Sequence, residues 1–268
     1  MILKVFDVAH GSANFIISPT GKTELVDLGA RSDWSPLEHI YRNYISPGDR
    51  LDRIVQTHHH GDHLDDVYNL TQSRMPKAVL RRSLTGRYEE ACKKSNSLEG
   101  QKKAEHFESL FSRYTSPSNT DSSVWGIARN SWKLSVNDAD TVTGTYGAMV
   151  NCCSYVTLYN HNGTKYLLCG DMEKEGMSLL LSQNDDMLSA VYGVNVLVAP
   201  HHGHSSGFST ELMAAIGKPD IVIASCMSGD ENVDSRYSDA NYVKGVYFQD
   251  GTVTVSYTHL TLPTIYSV

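Results

Sequence analysis

The chain has no long apolar run. Nowhere in its 268 residues does a stretch approach the roughly 18 apolar residues of a membrane-spanning helix. Lys4 and Asp7 interrupt the one N-terminal segment that could act as a signal peptide, so the expectation is no membrane partner and no export. Cysteine is scarce as well: Cys92, Cys152, Cys153, Cys169 and Cys226 are odd in number and form no C-x-x-C pair, which argues against a disulfide framework and a cysteine zinc site. Reduced cytoplasm suits them, and Cys152 and Cys153 read as small buried side chains. Net positive charge is missing too. A formal charge of -7 excludes wholesale coating of nucleic acid while leaving room for a local basic patch. With 40% hydrophobic content the chain can bury one large core, and nothing demands two domains.

What is there instead is histidine. Thr57-His58-His59-His60-Gly61-Asp62-His63 closely follows the apolar pair Ile54-Val55 and packs four imidazoles and a carboxylate into seven residues. Such neutral nitrogen and anionic oxygen donors bind borderline metals such as Zn²⁺. If Leu51 to Gln56 is a strand, alternation carries His58 and His60 to one side, where both can chelate one ion. Asp62 and His63 fall past Gly61, where the chain can turn, and point at a second position nearby. A pair of divalent ions follows. A solvated His-rich loop is the bland alternative, but such a loop has no reason to follow a buried strand and open a helix. Asp62 is placed to cap a helix over Leu64 to Leu70, with Asp65 and Asp66 at its positive end.

Around this cluster the pattern alternates hairpins and helices. Leu3 to Phe6, Asn14 to Ser18 and Thr23 to Leu28 read as a β meander, with Pro19-Thr20-Gly21-Lys22 as a turn. Leu37, Ile40, Tyr41 and Tyr44 recur at helical spacing before Pro47-Gly48. Residues 74–147 differ in character. Lys77, Arg81, Arg82, Arg87, Lys93, Lys94, Lys102, Lys103 and Arg113 outnumber Glu89, Glu90, Glu99, Glu105 and Glu108, and a small polar run follows from Thr115 to Ser123. This reads as a helical insertion with a mobile loop: either a solvated helical face or the source of substrate selectivity.

Strand patterns then return. Val156 to Tyr159 and Tyr166 to Cys169 flank the turn Asn160-His161-Asn162-Gly163, and the hairpin runs into Gly170-Asp171. Val194 to Ala199 ends in Pro200-His201-His202-Gly203-His204, and Ile221 to Ala224 makes one more strand. Three buried strands thus end in metal-capable groups, and folds of this kind assemble sites at one sheet edge. Taken alone, Asp171 also reads as the N-cap of a helix over Met172 to Leu181, and His201 or His202 as a hydrogen-bonded core histidine.

The pattern His58-x-His60-x-Asp62-His63, then Gly170-Asp171, then His201-His202-Gly203, resembles the metallo-β-lactamase-like hydrolase superfamily. More narrowly, Asp7-Val8-Ala9-His10-Gly11, Val26-Asp27-Leu28-Gly29, Asn151 to Ser154 and the His-His-Gly turn resemble the hydrolase domain of bacterial competence DNA-uptake proteins. The resemblance spans residues 1–255 and implies an αββα sandwich, here with the insertion at 74–147. It also implies that His58 and His60 hold one ion, that Asp62, His63 and His201 hold the other, and that Asp171 bridges them. Asn151 stands where the superfamily commonly has a further His. Its amide oxygen is a poor zinc donor that suits Mn²⁺ better, unless it is a plain turn residue. The competence-type start usually reads Gly-Gln-Gly-Asp, whereas here it is Ala9-His10-Gly11-Ser12, and no membrane channel is attached. Residues 256–268 read as a separate tail, since Ser256 to Ile265 resembles translated sequencing-adapter read-through.

Two such ions lower the pKa of a water between them and stabilise attacking and leaving oxygens, which is hydrolysis. Asp62 is placed to orient the nucleophile, and His202 and His204 to give a proton to the leaving group. A phosphodiester, nucleic acid included, is the first expectation, because cations suit its oxygens and the basic insertion could hold a backbone. Hydrolysis of a carboxylic ester, thioester, lactone or β-lactam is the alternative, and a non-catalytic metal-binding regulatory module is a third reading. The sequence assigns no oligomeric state.

Overall fold

The computed structural model describes residues 1–112, 122–226, 232–249, 251–256 and 264–267. The strands are β1 (Ile2–Val5), β2 (Asn14–Ile17), β3 (Thr23–Val26), β4 (Arg53–Val55), β5 (Ala78–Leu80), β6 (Ala128–Trp132), β7 (Val156–His161), β8 (Thr164–Leu168), β9 (Val196–Val198), β10 (Ile221–Ala224), β11 (Val246–Gln249), β12 (Val253–Ser256) and β13 (Thr264–Ser267). The helices are α1 (Pro36–Asn43), α2 (Gly86–Ser95), α3 (Leu98–Phe111), α4 (Ser122–Trp125), α5 (Val136–Val142), α6 (Tyr146–Cys152), α7 (Lys174–Gln183), α8 (Asp185–Val191) and α9 (Thr210–Ile216).

One sheet runs β13-β12-β1-β2-β3-β4-β5 and the other β11-β10-β9-β8-β7-β6. Their facing surfaces meet through Leu3, Val5, Ile16, Val26 and Val55 on one side and Tyr159, Tyr166, Leu168, Val196 and Ile223 on the other. The period-2 alternation of a strand sends the neighbours of these residues outward. Ile54 packs with Leu37 of α1 and Phe107 of α3, while Leu158, Leu167 and Leu197 pack with Met149 of α6 and Leu180 of α7. Each sheet therefore buries both faces, in helix, sheet, sheet, helix layers. This is the expected αββα sandwich. Each of these buried aliphatic side chains contributes roughly 1.5–3 kcal/mol. Within the sandwich Glu24 pairs with Arg53, accepts a hydrogen bond from the Tyr159 hydroxyl and lies 3.5 Å from Arg129.

Two expected helices change. No α-helix covers Leu64 to Leu70; 3₁₀ turns stand at Gly61–His63 and Val67–Asn69. The reason is competition for backbone groups. Leu28 N–H donates to the His63 carbonyl and Asp66 N–H donates to the Leu28 carbonyl, so the i→i−4 ladder cannot form. Asp66 instead accepts from Leu37 N–H and Ser35, bracing the start of α1. Helix α7 begins at Lys174 with Glu173 in the N-cap position, so Asp171 is not its cap.

Residues 74–147 are not wholly an addition to the sandwich, because β5 and β6 are edge strands of the two sheets. Thr115 to Asp121, expected as a mobile loop, lie outside the described residues, as do 257–263 of the tail; β13 pairs antiparallel with β12. Among the described residues no helix is long and apolar enough to cross a membrane.

Candidate metal centre

Strands β3 and β4 are parallel in one sheet, and β8, β9 and β10 are parallel in the other. Their C-terminal ends release loops at a common edge: Asp27 after β3, the histidine run after β4, Asp171 after β8, and His201 and His202 after β9. This is the edge at which open α/β sheets build sites.

There the side chains form two groups that share Asp171. One is His58, His60 and Asp171; the other is Asp62, His63, Asp171 and His202. His58 Nε2 lies 3.1 Å from His60 Nδ1 and 3.7 Å from Asp171 Oδ2. In the second group His63 Nε2 lies 3.1 Å from Asp171 Oδ1 and 3.3 Å from His202 Nε2. His202 Nε2 is 3.3 Å from Asp171 Oδ2 and 3.5 Å from Asp62 Oδ2.

The geometry departs from expectation at the His-His turn. His202, assigned above to proton donation, occupies the place in the second group that His201 was expected to fill. His201 Nε2 stands 4.0 Å from Asp171 Oδ2, and its Nδ1 is bonded to Ser206 at 2.7 Å. The cause is local. Both residues adopt left-handed backbone, His201 at φ 51° and His202 at φ 55°, so strand alternation no longer decides which ring turns inward. His204 bonds Ser206 through Nδ1 at 2.9 Å. The Asn151 amide donates to Glu173 at 2.8 Å, while its buried Oδ1 accepts no hydrogen bond among the described residues.

A ring of polar groups orients these donors. Asp27, fully buried, accepts from His63 Nδ1 at 2.9 Å and from the Thr57 amide at 2.8 Å, and its carboxylate also meets the Thr57 hydroxyl. His58 Nδ1 lies 3.1 Å from Thr57 Oγ1 and 3.3 Å from Ser154 Oγ, which accepts the Asp171 N–H. Both His58 and His63 thus have Nδ1 occupied and Nε2 aimed into the centre. Sequence reasoning did not single out Ser95 or Asn96; Thr57, Asp27 and Ser154 appeared only within longer motifs.

Charge follows the same layout. Burial drives the His58 imidazole well below its usual range, leaving it neutral, and burial also lowers His60. At His202 burial pulls downward, but Asp171 and Asp62 prevail and push it up to about 9. His63 moves well upward for the same kind of reason, with burial overcome by Asp171 and Asp27. Asp171 and Asp62 are driven upward by burial yet held well below the usual carboxylate range by the facing imidazoles. Neutral rings on one side and ionised carboxylates between them suit a cation.

The family model of the metallo-beta-lactamase superfamily matches residues 7–225. The chain belongs to that superfamily. The matched span contains every residue of both donor groups. Among solved structures, the metallo-beta-lactamase fold protein YhfI from Bacillus subtilis aligns with a TM-score of 0.50 at 13% identity, over 92% of this chain and 95% of that one. A mutant of the beta-hydroxylase CmlA of Streptomyces venezuelae gives 0.54 at 14% identity, over 94% of this chain but 53% of that one. This chain therefore spans about half of CmlA. Identities this low show a shared metallo-beta-lactamase fold alone. No curated protein matches the chain.

Beside the centre lies a hollow of about 400 Å³ lined by His60, Asp62, Asp65, Ser95, Asn96 and Lys103 among others. Asp65 and Lys103, paired at 2.6 Å, also line a larger cleft of about 620 Å³ whose walls include Trp34, Glu38, Tyr68 and Glu99. The basic residues of 74–147 are largely spoken for: Arg81 pairs with Glu108, Arg87 with Asp140 and Glu90, Lys93 with Glu89, and Lys94 with Glu90.

Proposed function

We propose that this superfamily member is a dinuclear metal-dependent hydrolase of small phosphodiesters. The observation that carries the reading is the pair of donor groups sharing Asp171. In this reading His58 and His60 would hold one divalent ion and Asp62, His63 and His202 the other, with Asp171 available to both. Zn²⁺ suits the imidazoles, and Mn²⁺ suits the oxygen-rich second group. When bound, the ions supply an activated water and neutralise charge on the phosphoryl oxygens. The chain's own residues do the rest. Asp62 orients the nucleophile, and His201, held by Ser206 with its Nε2 4.0 Å from Asp171 Oδ2, is assigned the leaving-group proton in place of His202. His204 shares the Ser206 hydroxyl and steadies that turn. Asn151 contributes through Glu173 rather than as a donor to an ion.

A phosphodiester is favoured by the motif resemblance noted in the sequence, while the family model extends to the superfamily alone. The charge layout favours a small one over a polymer. Cations paired within the insertion leave little free positive charge for a nucleic-acid backbone, and the adjoining cleft carries Asp33, Glu38, Asp65, Asp66 and Glu99 against Arg31 and Lys103. The test uses metal-depleted protein reloaded with Zn²⁺ or Mn²⁺ and offered bis(p-nitrophenyl) phosphate, single-stranded DNA, a p-nitrophenyl ester and a chromogenic β-lactam. Metal-dependent turnover of the phosphodiester, nearly flat from 50 to 200 mM salt, supports the proposal; steep loss with salt on DNA, or preference for the ester or lactam, defeats it.

A further inference from the structure

We infer that the insertion is part of the metal centre: Ser95 and Asn96, at the turn between α2 and α3, set the tautomer and position of His60. The inference rests on the donor groups but not on any substrate. His60 differs from His58 and His63 in that its Nδ1 faces the other donors, 3.1 Å from His58 Nε2, while its Nε2 points away to Ser95 Oγ at 3.2 Å. The serine hydroxyl has one proton, and it is committed: Ser95 Oγ donates to the Ala91 carbonyl at 2.8 Å, one turn back along α2. Towards His60 the oxygen is left as an acceptor, so Nε2 carries the ring proton and Nδ1 the lone pair. A ring that ligates through Nδ1 needs that tautomer, and a hydrogen bond at the far nitrogen is the means by which it is fixed.

Asn96 fixes the backbone on either side of the same ring. Its Oδ1 accepts from Gly61 N–H at 2.9 Å and its Nδ2 donates to the His59 carbonyl at 2.8 Å. The loop is also pressed against α3, since a Cβ at Gly61 would stand 2.9 Å from Gly100 Cα. Tyr88 of α2 completes the clamp by accepting the His59 N–H at 3.1 Å. The insertion therefore grips the loop at His59, His60 and Gly61, which a detachable lid would not do. Ser95 and Asn96 are positioning residues and touch no reacting atom.

The experiment titrates metal-depleted protein with Zn²⁺ alone by calorimetry, so it is independent of any hydrolytic activity. For Ser95→Ala we expect one of two binding steps to weaken by about 10–100-fold, the usual consequence of losing an outer partner of a ligating histidine. The other step stays within about threefold, and Ser95→Thr, which keeps the acceptor oxygen, restores the first. In the wild-type, metal-free protein, ring-nitrogen NMR should show His60 protonated at Nε2, a readout that survives even if a variant misfolds. Wild-type Zn²⁺ affinity at both steps in folded Ser95→Ala, or a His60 ring protonated at Nδ1, overturns the inference.

Discussion

Asp27 Oδ2 accepts a hydrogen bond from His63 Nδ1 at 2.9 Å, and the same carboxylate meets the hydroxyl of Thr57, whose oxygen lies 3.1 Å from His58 Nδ1. One buried anion thus steers a histidine in each donor group. Replacing Asp27 by Asn keeps the size but puts a donor where two donors already point. We expect Asp27→Asn to lower Zn²⁺ affinity at both positions by about 10–100-fold. Calorimetric titration beside circular dichroism checks this; loss at one position only would show that Asp27 governs a single ring.

The exchange of His201 and His202 gives a sharper test. His202→Ala removes a donor from the second group and should drop bound metal from two ions per chain toward one. His201→Ala should keep the metal content and slow turnover by about 10²–10⁴-fold, the usual range for a lost acid or base. Elemental analysis after dialysis, paired with phosphodiester kinetics, distinguishes them. Full metal content in His202→Ala would return the ligand role to its neighbour.

How much of this could be read in the sequence depended on where the information lies. The αββα layering was legible because Leu3, Ile54 and Val222 sit in short apolar runs whose neighbours alternate between two buried layers. β6 was not, since Ala-Arg-Asn-Ser-Trp carries no apolar alternation and pairs at a sheet edge where Trp132 is its one buried apolar side chain. The His58 to His63 run announced the centre by density alone. Which of His201 and His202 faces it was not legible, because two consecutive left-handed residues leave no periodic signal. Ser95 and Asn96 were hidden for another reason: they reach the site through tertiary packing of the insertion, and a lone Ser-Asn pair at a helix end looks like ordinary capping chemistry.

Glu24 provides a stability test away from the site. It is fully buried between the sheets with Arg53, Arg129 and Tyr159. Burial alone would raise its pKa, but the two guanidinium groups prevail and hold it below the usual 4.5. A carboxyl with a depressed folded-state pKa stabilises the fold above its unfolded value and loses that contribution as pH falls through the folded one. We expect Glu24→Gln to cost about 3–5 kcal/mol near neutral pH, because it strands two buried cations. The gap from wild type should narrow below pH 4.5. Urea unfolding from pH 7 to pH 3 measures it; a gap that stays constant with pH would show that the carboxyl is not ionised in the fold.

Gly11 links the first loop of the chain to the second donor group. Its φ is 117°, a conformation L side chains rarely adopt, and a Cβ there would stand 2.4 Å from the Asp62 carbonyl oxygen. Gly29 closes on the same oxygen, its Cβ position being 3.0 Å away. The backbone of Asp62 is thus pinned where only hydrogen atoms fit. Gly11→Ala strains its own backbone, at about 1–3 kcal/mol, and must relieve the contact either by shifting its own loop or by displacing the Asp62 loop. Strain alone lowers Tm and leaves the metal content intact. Displacement draws Asp62 away from His63 and His202, so the second ion is lost while His58 and His60 still bind the first. We expect displacement, because the obstructing atom is backbone and cannot rotate aside. Two tightly bound ions in a folded Gly11→Ala chain would show that Asp62 is not held in place by this contact.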